Sequence, residues 1–114
     1  MSDCCVSEKS GKNFDLAVIG AGSAGFSAAI TAAEQGSQVA LVGHGVIGGT
    51  CVNIGCVPSK TLIRAAETLH QAGAAARFAG IRAKGQVDDW AATVRQKDEL
   101  VGTLRQSKYA NLLP

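Results

Sequence analysis

The chain has 114 residues, 46% of them hydrophobic, which suits one domain or part of one and excludes a wholly disordered segment. Its 11 basic and 9 acidic residues leave a net charge of +2, and the basic residues are scattered, so there is no nucleic-acid footprint. With aromatics at 4% and 14 glycines, packing must come from small-residue helices and glycine turns.

Residues 1–13 are polar and aperiodic and read as a flexible tail, leaving 14–114 as the folded unit. Phe14 to Ile19 reads as a short strand whose apolar LAVI run suits a sheet buried on both faces. A helix is expected from about Ser23 to Gln35, with Gly36 just past its end. Val39 to Val42 is a second strand. Strand, helix and strand within about 30 residues form a βαβ unit, so the strands should be parallel. Gly43 to Thr50 is a loop. A helix is expected through Cys51–Cys56 to about Ala72, a glycine-bearing loop over 73–87, and a last helix from Asp88 to about Asn111. On that last helix Trp90, Val94, Val101 and Leu104 share one face, with Arg95, Lys97, Asp98 and Arg105 largely elsewhere. The fold class is α/β, a Rossmann-like βαβ half-domain with an incomplete sheet.

Leu16 to Ala33 carries no charge, and Lys9 and Lys12 precede it, so a membrane span or signal peptide is an alternative. Gly20, Gly22 and Gly25, at turn spacing inside the run, argue against both.

Gly20-Ala21-Gly22-Ser23-Ala24-Gly25 fits G-x-G-x-x-G, follows a strand and opens a helix. The first glycine permits the turn, the second lets backbone approach a pyrophosphate, and the third lets helix and strand pack closely. The helix N-terminus then offers free N–H groups to phosphate. The bland alternative is an ordinary tight βα turn. Such sites place Asp or Glu at the end of the second strand to hold a ribose. Here that strand ends Leu41-Val42-Gly43-His44, with no acid between Glu34 and Glu67. Ribose would fall to the backbone of the Gly43–Gly45 loop and to His44, which otherwise reads as a solvated loop histidine.

The four cysteines form two pairs, Cys4-Cys5 and Cys51-x4-Cys56. In a regular helix, Cα atoms five residues apart lie about 8.6 Å apart, beyond the reach of a disulfide. A Cys51–Cys56 bond therefore needs a distorted segment. Gly55 is permissive, and Pro58 has no N–H for Ile54 and disfavours helix at Val57. Lys60, four residues after Cys56, can share its face and favour a thiolate. The alternatives are two buried free cysteines or half a zinc site, for which the spacing is poor. Adjacent Cys4 and Cys5, with Cα atoms about 3.8 Å apart, suit soft-metal chelation better than a mutual disulfide. They also read as incidental tail residues.

GTCVNIGCVPSK, 29 residues after the start of GAGSAG, resembles the flavin region of the pyridine nucleotide–disulfide oxidoreductases. With KDELVGTLRQSKYANLL, the likeness covers about 14–113 and is strongest to the mercury-reducing branch. Dihydrolipoyl dehydrogenase and glutathione reductase share C-x4-C and stay as alternatives, as does a non-catalytic thiol module. The resemblance implies FAD on Gly20, Gly22 and Gly25, with Gly45 and Thr50 touching it from the loop and Lys60 near its ring. It implies Cys51 as the thiol that meets substrate and Cys56 as the charge-transfer thiolate against the flavin. Both would then hold Hg(II), and Gly43 departs from the family's ribose-binding glutamate. It further implies NADPH as donor, Hg(II) or a small disulfide as substrate, and a cytoplasmic homodimer with no membrane or nucleic-acid partner. A second glycine fingerprint, a distal FAD segment and an interface domain are missing from the chain, which implies an N-terminal fragment expected to be inactive alone.

Overall fold

A computed structural model describes residues 13–113. The expectations for the tail, including Cys4 and Cys5, lie outside the described residues. The elements in chain order are β1 (Leu16–Ile19), α1 (Ser23–Glu34), β2 (Val39–Val42), α2 (Gly49–Asn53), α3 (Cys56–Ala74) and α4 (Trp90–Lys108), with single 3-10 turns at Ala75–Arg77 and Ala110–Leu112.

β1 and β2 pair in parallel, Leu16 opposite Val39 through Ile19 opposite Val42, which makes the first part of the chain a βαβ unit as its pattern predicts. Its ends are pinned. The Gln38 N–H donates to the Asp15 carboxylate at 2.8 Å, and the Gly20 N–H to the Val42 carbonyl at 2.7 Å. α1 stops where the sequence indicates. Gly36 takes φ +91°, its N–H reaches Ala33 O at 2.9 Å, and the Ser37 N–H reaches Ala32 O at 3.1 Å. These two bonds satisfy the last carbonyls in a Schellman motif. The uncharged Leu16–Ala33 run is thus a strand, a turn and a helix. No helix among the described residues is long and apolar enough to cross a membrane.

The core is small: Phe26 and Ala29 of α1, Val52 of α2 and Val101 of α4 are buried. Tyr109, just beyond α4, places its ring edge-on to Phe26 with centroids 5.0 Å apart. α4 begins on Asp89, whose side chain accepts from the Ala92 N–H at 3.1 Å, a cap typical of helix starts. It packs along α3 and against α2.

Two expectations need correction. The helix expected to run through both cysteines is broken: α2 ends at Asn53 and α3 starts at Cys56. Pro58 is the third residue of α3, where a missing N–H costs nothing. Helical bonding resumes from the Ser59 N–H to Gly55 O at 3.1 Å. The α4 face also differs. Val101 is buried and Val94 and Leu104 are half-buried, but Trp90 is 56% exposed. Arg105, read as lying off that face, is half-buried, because four residues after Val101 it is only about 40° further round the helix.

Candidate functional site

The glycine turn and the cysteine segment form one unit. Gly20 turns the chain at φ +118°. A Cβ at Gly25 would overlap the Gly20 carbonyl, so glycine lets α1 start hard against the end of β1. Gly22 caps α1 without a side-chain acceptor, leaving the first N–H groups of a 12-residue helix without helical partners. Gly22 also pairs with Gly48 in an isolated parallel bridge, and the Gly48 N–H donates to Ala21 O at 2.9 Å. Gly48 and Gly49 take φ +96° and +68°. A Cβ on Gly49 would lie 2.8 Å from Gly22 Cα, so the two backbones touch with no room for a side chain. From there α2 runs directly into Cys51.

The other residues singled out in the sequence fall around this seam. Gly45 sits in the exposed loop at φ +79°. Thr50 is exposed on α2, and its carbonyl accepts the Ile54 N–H at 3.0 Å. Lys60 is exposed one turn into α3. His44 is exposed, and Gly43 offers no carboxylate; a Cβ there would overlap the methyl of Ala21.

Cys51 and Cys56 are both free and exposed. The helix break lies between them, and Cys56 is the neighbour that acts on the Cys51 thiol. The Cys56 side chain chiefly, with partial desolvation and the charge of Cys56, pushes the Cys51 thiol above its usual range, against an opposing Cys56 backbone N–H. No cluster of three or more metal-ligating side chains occurs among the described residues. Cys51 opens on a cleft of about 430 Å³ whose lining includes Ser23, Phe26, Lys108 and Tyr109; Cys56 is not part of it. Replacing Cys56 by Ala removes the main cause of the raised Cys51 pKa and keeps the backbone donor. In a Cys4→Ser, Cys5→Ser background, the pH profile of Cys51 alkylation is expected to move to lower pH. An unchanged profile would show that the Cys56 side chain does not raise the Cys51 pKa.

Three contributors escaped the sequence reading. Asn53, between the cysteines, donates to Ile47 O at 3.0 Å and Gly49 O at 2.8 Å. Arg105 donates to Asn53 Oδ1 at 3.1 Å. Tyr109 OH and Ser23 Oγ lie 2.8 Å apart. Asn53 sits inside the most informative motif, but its partners only become visible in three dimensions.

Comparisons with known proteins agree with this geometry. The sequence pattern of the pyridine nucleotide-disulphide oxidoreductase family matches residues 14–113. A mercuric reductase of Streptomyces lividans is 52% identical over 99 residues, which is 87% of this chain and 21% of the relative. One from Lysinibacillus sphaericus is 48% identical over 101 residues, 89% of this chain and 18% of the relative. A dihydrolipoyl dehydrogenase of Chlamydia muridarum is 47% identical over 92 residues, 81% and 20% of the two chains. The chain thus spans about a fifth of the length of these relatives. Among solved structures, the Cu(II) complex of the HOCl-induced flavoprotein disulfide reductase RclA from Escherichia coli superimposes with a TM-score of 0.67 at 32% identity, covering 89% of this chain and 19% of that one. A glycine turn abutting a C-x4-C segment, on a parallel βαβ unit and in a sequence matched almost throughout, places this chain in the pyridine nucleotide-disulphide oxidoreductase family.

Proposed function

We propose that this chain is the flavin-proximal N-terminal part of an FAD- and NADPH-dependent reductase that reduces Hg(II) to Hg(0) through Cys51 and Cys56. The observation that carries the reading is the Gly22–Gly48 bridge, which ties the phosphate turn to the cysteine segment. The residues present fit the pyrophosphate of FAD. Gly25 lets α1 begin at the turn, and Gly22 leaves its N–H groups open to phosphate oxygens. Gly20, Gly22 and Gly25 would hold that group, with Gly45, Thr50 and Lys60 nearby. The adenosine ribose falls to the 43–45 backbone and His44, since position 43 has no carboxylate. When bound, FAD supplies the two-electron relay between NADPH and a disulfide.

The chain's own part begins with the two thiols. Reduced Cys51 takes Hg(II) from the cleft, and Cys56 completes a two-sulfur site, since soft thiolates suit this metal. Two further electrons from NADPH, which bound FAD would relay, would then reduce the bound Hg(II) to Hg(0) and leave both sulfurs as thiolates. The homodimer and the cytoplasmic setting belong to the same proposal.

A second reading, an organic-disulfide reductase of the dihydrolipoyl dehydrogenase kind, draws support from the 47% identity to that enzyme. The deciding experiment uses a full-length enzyme carrying this segment. NADPH oxidation is expected with Hg(II) in excess small thiol and not with lipoamide. The opposite preference would move the assignment to the second reading.

The 114-residue chain alone is expected to bind FAD weakly and to oxidise no NADPH with added FAD and Hg(II). It holds one glycine fingerprint, and its two-stranded sheet has open edges, with Ile19 88% exposed. Yellow protein with stoichiometric flavin, or NADPH loss above the protein-free rate, would count against this.

A further inference from the structure

α2 has five residues, too few to hold its own shape. It carries Cys51, and its end is followed by the break before Cys56. The side chain that ties it down is Asn53. Its amide N–H groups go to Ile47 O and Gly49 O, closing the loop onto the helix. Its Oδ1 accepts from Arg105 on α4, 52 positions away in sequence. The amide orientation is forced by this set. Two carbonyls need donors, and a guanidinium can only donate, so the flipped amide would lose all three bonds. Arg105 makes no ion pair among the described residues. A half-buried guanidinium is therefore spent on a neutral amide between the two cysteines.

We propose that Arg105 and Asn53 act as a positioning pair that sets the approach of Cys51 to Cys56 and so the reduction potential of their disulfide. The inference rests on the reading of these thiols as a redox pair. α4 is the strut: Val101 is buried in the core, and Arg105, one turn on, locks the segment carrying Cys51. Loss of either partner frees α2 to move relative to the start of α3. That lowers the effective concentration of one thiol at the other and makes the disulfide easier to reduce.

The test uses the 114-residue chain with Cys4→Ser and Cys5→Ser, equilibrated in glutathione buffers, quenched by alkylation and read by mass. In the exchange, the two protein thiols and one oxidised glutathione give the protein disulfide and two reduced glutathiones. One S–S bond breaks, one forms, and the two thiol protons leave on glutathione. Arg105→Met and Asn53→Ala are each expected to lower the oxidation constant about tenfold, a rise of about 30 mV. The double variant should shift no further than Asn53→Ala alone, because the Arg105 contact is already lost there together with the bonds to Ile47 and Gly49. Arg95→Met, which removes an exposed pair with Asp89 on the same helix, should leave the constant unchanged. If either variant fails to fold by circular dichroism, Arg105→Lys carries the test. It keeps the charge and loses the planar fork, and a drop of about threefold supports the proposal. Variants that titrate like the parent overturn the positioning role. A parent that never forms the Cys51–Cys56 disulfide overturns the redox-pair reading instead.

Discussion

Gly49→Ala is expected to destabilise the chain by about 2–5 kcal/mol, a sum of left-handed strain and overpacking. Gly49 sits at φ +68°, where an L-residue clashes with its own backbone, and its added methyl would meet Gly22 Cα at 2.8 Å. Neither side can yield cheaply. Gly22 is the N-cap of α1 and the partner of Gly48 in the bridge. Pushing Gly49 away moves α2, and with it Val52, one of the few buried side chains. The variant should therefore lose stability in urea and displace Cys51 relative to Cys56. Gly102→Ala is the control. It lies inside α4 with nothing within 4 Å of its would-be Cβ, so it should gain about 0.5–1 kcal/mol from helix propensity. If Gly49→Ala matched the parent in midpoint, the contact between the two glycine turns would not be holding the segment.

What could be read from the sequence was local. G-x-G-x-x-G after an apolar run, the C′ role of Gly36 and the parallel pairing each follow from residues a few positions apart. The distortion between the cysteines was legible from Gly55 and Pro58, but its form was not. The chain stops α2 at Asn53 and starts a new helix at Cys56, with Pro58 inside the first turn, where proline is accepted. The contacts that were not legible span the chain. Arg105 reaches Asn53 over 52 positions and Tyr109 reaches Ser23 over 86. Periodicity placed Arg105 among the polar residues because it scores a residue by type. It cannot see that a guanidinium on the flank of a buried face has an amide to meet. Trp90 shows the converse: an apolar residue at the right phase that α4 leaves largely uncovered.

In a full-length enzyme carrying this segment, Cys51→Ala and Cys56→Ala should each lower turnover with Hg(II) by at least about 10³-fold, roughly 4 kcal/mol of barrier, and for different reasons. Cys56 is the first residue of a 19-residue helix, so its sulfur lies at the positive end of the helix dipole with Lys60 one turn on. It lines no part of the cleft on which Cys51 opens. These placements support Cys56 as the sulfur held against the flavin and Cys51 as the sulfur that receives metal. Cys56→Ala should erase the long-wavelength absorbance that a thiolate lying against flavin gives to the reduced enzyme. Cys51→Ala should keep that absorbance and lose metal reduction. Cys51→Ala should also lose uptake of Hg(II) from a small-thiol complex, because ligand exchange starts at the thiol facing the cleft. Cys4→Ala with Cys5→Ala should change little under the same delivery. If the Cys56 variant kept the band and the Cys51 variant lost it, the two roles would be exchanged. If both variants reduced Hg(II) at the parent rate, metal reduction would not pass through this pair at all.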